Sequence, residues 1–388
     1  MSILINTVKA KGAAGLLARA ASIKQRYGID AGKMDRALLI FSEVLDAFHC
    51  GATFPITAVT LSRNRATLTK YLDKNIEFAV HGFRHIDYAQ RAALDFPLHL
   101  RRALDEFAEL GISPTGYRSP YLSRNSALLP VIGAAGFSYV SNQPLIWDVV
   151  ERDALSQKQL LHYDRALAFY KPWKASKGIS LPRMHGNLVE IPVSLPDDEI
   201  LVERLGSTSE FIANAWCKIL NLTYQEEGLF TLQLHPERIS ACANALVQLL
   251  GTTMHRKPAI WLARLDEIAT WWRARCTATL TITPSGEGRW RVMVDGPPGT
   301  TVLVRNCEPE APNLPWMDGY ARVDAHDFSV SCSPGSDSDW KHFEQAQASD
   351  CPLIRLGNWP DGCRSALSIT GDIDAMTIWD YGLRLLGK

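Results

Sequence analysis

No stretch of this 388-residue chain approaches the ~20 consecutive apolar residues that a bilayer-spanning helix requires. The N-terminus, Met1-Ser-Ile-Leu-Ile-Asn-Thr-Val-Lys-Ala, has neither the charged start nor the apolar core and cleavage pattern of a secretory leader. No sign of charge is in excess, since 41 Lys and Arg balance 41 Asp and Glu, and no basic stripe or nucleic-acid motif is present. Polyanion binding is therefore not expected. No Cys-x-x-Cys pair occurs among the eight cysteines, which speaks for free thiols rather than a disulfide framework. Repeats and low-complexity tracts are also missing. These absences imply a cytoplasmic protein. The mixed basic and apolar segment from Val8 to Arg26 reads as a helix packed on its own domain, and a peripheral contact with the inner membrane stays open as its alternative. Oligomeric state is not readable.

What is present is an alternation. Short apolar runs (52–59, 76–80, 115–118, 137–140, 188–193, 229–234 and 366–370) are separated by segments with helical spacing at 34–48, 92–110, 125–135, 210–220, 241–250 and 259–275. Strands alternating with helices predict an α/β fold with a parallel sheet, here a barrel of about seven strands. Ser123 before one helix, and Gly111 and Gly136 after two others, supply capping signals. From Cys276 the pattern changes to period two over 277–283, 289–294 and 301–304, with turn clusters between, which predicts a small antiparallel β-sandwich. Residues 337–351 are polar and read as a linking helix or loop. The expected domains are 1–275 for the main part of the barrel, 276–335 for the all-β module, and 352–388 for a segment that completes the barrel.

In such barrels the working residues gather where strands end. Ile76–Val80 leads into His81-Gly-Phe-Arg-His85, Thr115–Tyr117 into Arg118-Ser-Pro-Tyr121, and Leu229–Leu234 into His235. The late run Ala366–Thr370 leads into Asp372 and Asp374. Two imidazoles and a carboxylate make a three-ligand set for a catalytic divalent metal with one position open. Duller readings exist for each group. The acids can cap a following helix, His235 can be a strand-end structural residue, and the histidines can be hydrogen-bonded residues at a helix start.

Taken together these residues resemble the polysaccharide deacetylases, which carry an acidic pair after the first strand, a His-x-x-x-His, an Arg-x-Pro-Tyr element and a late Leu-x-His. Gly51-Ala-Thr-Phe54, Leu128–Phe137 and Val189-Glu-Ile-Pro192 resemble that family's framework, and the likeness runs over roughly 28–275 and 360–388. The order departs from the family, because the acidic pair comes last. The simplest account is a circularly permuted, distorted (β/α)7 barrel whose first strand has moved to the C-terminus, with the β-sandwich inserted before it. The resemblance implies that His81, His85 and Asp374 hold the metal, zinc by expectation. It also implies Asp372 as general base, His235 as general acid, the Tyr121 backbone N–H as an oxyanion donor, and Arg118 as partner of Asp372 or Asp148. Gly82 stands where the family has a small hydroxyl residue, and Ile86 where it has proline.

The implied activity is removal of an N-acetyl group from an amino sugar in a polysaccharide or lipid-linked glycan precursor. A non-sugar amide hydrolase and a non-catalytic glycan-binding barrel are the alternatives. Trp290 and Trp316 in the β module are candidates for sugar stacking, with packed aromatics as the commoner outcome.

Overall fold

The structure is a computed structural model that describes residues 23–24, 26–89, 95–177, 180–286, 288–331 and 353–387. Most of the Val8–Arg26 segment and all of 337–351 lie outside the described residues. The chain divides into two compact units, one of residues 1–252, 262–269 and 367–388, the other of 253–261 and 270–366.

The first unit is built on one curled sheet. Its strands are β1 (Ala52–Ile56), β2 (Ile76–Val80), β3 (Gly116–Tyr117), β4 (Tyr139–Val140), β5 (Pro144–Ile146), β6 (Trp173–Lys174), β7 (Arg183–His185), β8 (Leu188–Glu190), β9 (Val193–Leu195) and β10 (Leu229–Leu234). After β11 (Ile260–Leu262) the chain forms the second unit's strands β12 (Thr279–Gly286), β13 (Arg289–Asp295), β14 (Val302–Arg305), β15 (Glu308–Pro309), β16 (Asn313–Pro315), β17 (Ala321–Val323), β18 (Asp327–Ser331) and β19 (Leu353–Leu356). Strand β20 (Ser365–Gly371) returns to the first sheet. The order across that sheet is β6-β5-β9-β10-β20-β1-β2-β3-β4-β8-β7. The last strand of the chain therefore lies beside the first. It runs parallel to β1, with Ile369 opposite Ala52 and Thr370 opposite Thr53. All seven residues of β20 are buried, as are all five of β1, as expected of parallel strands covered on both faces; the residues are apolar or small, and the buried hydroxyls of Thr53 and Thr370 are hydrogen-bonded. Helices such as Gly32–Ala47 and Ser209–Gln225 bury one apolar stripe each, Leu38, Phe41 and Leu45 in the first and Ile212, Trp216 and Ile219 in the second.

The strand-end glycine Gly371 is there for space. A Cβ at that position would sit 2.6 Å from the Phe54 ring of β1. Gly111 and Gly136 close their helices with φ of +73° and +92°.

The second unit is a β-sandwich of two four-stranded sheets, β12-β13-β18-β15 and β16-β17-β14-β19. Val292, Val294, Val302, Val304, Val323, Phe328 and Val330 form its core. It draws β19 from beyond residue 352. Trp290 packs against that core, and Trp316 donates its indole N–H to Gly362 and lies under the Arg364 guanidinium, so both are parts of the packing.

Three local expectations are corrected. The expected helix over 259–275 is β11 followed by a helix over Leu265–Arg275, which begins where Asp266 and Glu267 favour a helix N-terminus. Asn125, not Ser123, caps the next turn, accepting from the Ala127 N–H, because Tyr121 and Leu122 take left-handed conformations and leave Ser123 extended. The helix Gln157–Tyr170, not among the expected ones, starts on a capping box of Ser156 and Gln159.

Candidate active site

Neighbouring strands deliver their terminal residues to one end of the sheet. His81 follows β2, held by its N–H to the Ile56 carbonyl at 2.9 Å. The carbonyls of Gly82 and Phe83 accept from Ala58 and Val59 at the start of the helix Ala58–Arg63, which fixes the loop carrying His85. Gly82 has a φ of +80°, and a Cβ there would meet the Tyr88 ring at 2.7 Å. Glycine in place of a hydroxyl residue thus has a local steric cause.

The two imidazoles and Asp374 converge. His81 Nε2 lies 3.3 Å and His85 Nε2 3.2 Å from Asp374 Oδ1. Ligand atoms ~2 Å from a shared ion stand roughly 3–4 Å apart, and these distances agree. All three side chains are buried, and Asp374 Oδ1 has no hydrogen-bond partner although both ring nitrogens face it. A buried carboxylate oxygen left so is costly unless a cation takes it up. His81 Nδ1 is bonded to the Arg118 carbonyl at 2.9 Å, which leaves Nε2 as the nitrogen available to a ligand. Burial drives the His85 imidazole down to about 3, against the pull of Asp374, which favours the neutral form that is able to ligate a metal. Burial raises the Asp374 carboxyl, but Arg384, then His85 and His81, outweigh that and hold it well below the ordinary carboxylate range. The donor set fits a zinc-class divalent ion.

Arg384 was not legible as a site residue. It comes from the C-terminal helix Ile378–Leu385, pairs with Asp374 Oδ2 at 2.8 Å, and sets a guanidinium nitrogen 3.2 Å from His85 Nε2.

Asp372, at the end of β20, accepts from Arg118 at 2.6 Å and from Gln233 Nε2 at 2.9 Å. Arg118 also donates to Thr370 Oγ1 and Ser141 Oγ, both at 2.8 Å, and is fully buried. Of its two expected partners it takes Asp372; Asp148 is exposed. Neither Asp372 nor Asp374 caps the following helix, because Thr377 and Asp380 form that capping box.

His235 follows β10 and is held there by an acid that follows the adjacent strand. Asp198, just past the neighbouring β9, takes its Nδ1 and its backbone N–H, each at 2.7 Å. Burial works to lower the His235 imidazole, yet the Asp198 carboxylate prevails and raises it to about 10. Asp197 beside it is pushed up to about 7 by burial and then by Asp198 and Glu199. The acids 197–198 are a strand-end pair like 372 and 374, and the sequence carries the same signal for both.

Tyr121 lies in the loop after β3 with φ of +64°, its ring 4.4 Å from that of His85. A left-handed non-glycine residue is a strained position of the kind that collects at functional sites.

Residues 33–140 match the polysaccharide deacetylase family, a span that holds His81, His85, Arg118 and Tyr121 but not the late acids. The resemblance read from the sequence is thereby borne out. No curated protein matches. A solved structure from Mycobacterium smegmatis described as a polysaccharide deacetylase is 20% identical at a TM-score of 0.51, with 72% of this chain and 90% of that one covered. A second, from Pseudomonas aeruginosa PAO1 and similarly described, is 18% identical at 0.48, with 61% and 73% covered. The Puue allantoinase structure is 18% identical at 0.47, with 61% and 72% covered. The fold is the curled α/β barrel of the deacetylases with an added antiparallel β unit.

Proposed function

We propose that the protein is a metal-dependent hydrolase that removes the N-acetyl group from an amino sugar in a polysaccharide or glycan precursor. The observation that carries this reading is the convergence of His81 Nε2, His85 Nε2 and the unpartnered Asp374 Oδ1 within ion-sharing distance. A zinc-class ion held there would lower the pKa of water from 15.7 to about 7 and polarise the acetyl carbonyl.

The chain's own groups supply the rest. Asp372, oriented by Arg118 and Gln233, would serve as the base that takes the proton of the attacking water. His235, held protonated through neutral pH by Asp198, is the acid for the departing amine. An amide nitrogen leaves badly unless protonated, so acid and base are both required. The Tyr121 N–H would donate to the oxyanion, a contact of a kind worth ~3 kcal/mol in the transition state. The topology supports a circular permutation, because β20 occupies the place beside β1 where the family's acid-bearing first strand belongs. A cytoplasmic setting and a lipid-linked form of the substrate belong to the same proposal; among the described residues no helix is long and apolar enough to cross a membrane.

The test is acetate release from an N-acetylglucosamine oligomer by the zinc-loaded protein. Release that stops on chelation and returns with zinc is the expected result. Ammonia or carboxylate release from small cyclic amides, without acetate release from the oligomer, would mark a non-sugar amide hydrolase. Zinc-free oligomer binding without turnover would mark a binding barrel.

A further inference from the structure

Leading away from His85 is a strip of exposed rings that no part of the chemistry above uses. The Tyr121 ring meets Phe169 at 5.8 Å, and Phe169 is backed by the half-buried Tyr170 at 5.2 Å. Trp173 follows in β6. Phe169 is 57% exposed, Trp173 46% and Tyr121 37%, so these rings face solvent instead of filling a core. Two guanidiniums lie against the Trp173 indole, Arg183 at 5.1 Å and Arg124 at 5.7 Å from its centroid.

Arg124 is held in place by donating to Gln143 Oε1 and to the Lys171 carbonyl. Lys171 and Lys174 are exposed on either side of Trp173. The dip beside Trp173 and Arg183 is shallow, with a cavity volume of only ≈ 10 Å³, and the acid that lines it, Glu190, is bonded to His185 at 2.8 Å. Among the described residues Arg124, Lys171, Lys174 and Arg183 form no ion pair. Arg124 and Arg183 gathered on one indole repel each other, the charge of Glu190 offsets this in part, and a bound anion relieves the rest.

We propose that this strip is a substrate subsite that binds an anionic group, a carboxylate or a phosphate, carried by the glycan near its scissile acetamide. It rests on the deacetylase reading for the identity of the glycan. Tyr121 and Phe169 offer stacking faces to sugar rings beside the reaction centre. Arg124 and Arg183, lying against Trp173, offer forks to the anion.

The experiment is calorimetric titration of the full-length protein with three tetramers of N-acetylglucosamine: neutral, bearing a terminal phosphate monoester, and bearing one uronate unit. At low salt an anionic tetramer should bind tighter than the neutral one by on the order of ten-fold. The charged form that gains more identifies the anion. The preference should collapse in R124Q/R183Q, and also in the unaltered protein at high salt, which needs no mutant fold. Equal binding of all three tetramers, or an undiminished preference in a folded R124Q/R183Q, overturns the subsite. Binding is read apart from turnover. A charge preference without acetate release would sink the deacetylase reading alone, whereas acetate release with no preference would sink the subsite alone.

Discussion

His235 and Asp198 show what a single residue contact does here. The imidazole's pKa in the fold, about 10, lies above its ordinary value near 6.5, so the folded state binds the proton more tightly than the unfolded chain. Its contribution to stability is complete below pH ~6.5 and is lost as pH rises through about 10. Asp198 is shifted the other way: burial raises its carboxyl but His235 and Arg238 bring it below the ordinary value, so its contribution is lost in acid. Urea midpoints measured from pH 6.5 to 10 should fall for the unaltered protein and stay flatter for H235N; parallel curves would contradict the pairing. Replacing His235, the proposed general acid, in H235N should also cost about 10²–10⁴ in kcat.

Arg118 is the second residue whose loss has a stated consequence. R118M leaves the buried Asp372 carboxylate without its cation, which should cost ~3–5 kcal/mol in urea unfolding. A loss under about 1 kcal/mol would mean that Asp372 finds another partner.

At the scale of elements, the strand ends were readable because each apolar run stops at a residue type that has no place in a buried strand. His81, Arg118, His235 and Asp372 were all found by that transition. Asp198 carries the same signal, but its strand is three residues long and broken from the acids by Pro196, so the apolar run fades before it reaches them. Arg384 had no signal. An amphipathic helix shows its period in sequence but not which neighbour its polar residues meet, and this one turns Arg384 onto Asp374 and Trp379 to solvent. That placement has a consequence for the metal. The lone pair of His85 Nε2 facing Arg384 is the one a metal would use, and a guanidinium beside it repels a cation. R384M should therefore bind zinc more tightly, by on the order of ten-fold in competition with a chromophoric chelator. Weaker binding in R384M would instead make Arg384 a support that Asp374 needs.

For the whole molecule, the sequence order hid the most consequential contact. The head supplies two imidazoles and the tail supplies the carboxylate, with some three hundred residues between them and an entire β unit formed in the interval. Adjacency of β20 to β1 and β10 could be inferred from the family's missing acidic pair, but not from hydrophobic periodicity, which says that a strand is buried and not where. If β20 is an integral strand of the barrel, a chain ending at Cys363 leaves β1 and β10 without their shared neighbour. That truncation should show no cooperative thermal transition for the barrel by circular dichroism, whereas a transition like that of the full chain would place the tail outside the fold.

The central claim is that residues from both ends of the chain grip one ion, and zinc stoichiometry of the purified protein tests it most directly. The unaltered protein should hold about one zinc per chain after gel filtration, and folded D374N and H85A should hold almost none. Zinc retained in full by a folded D374N would contradict it.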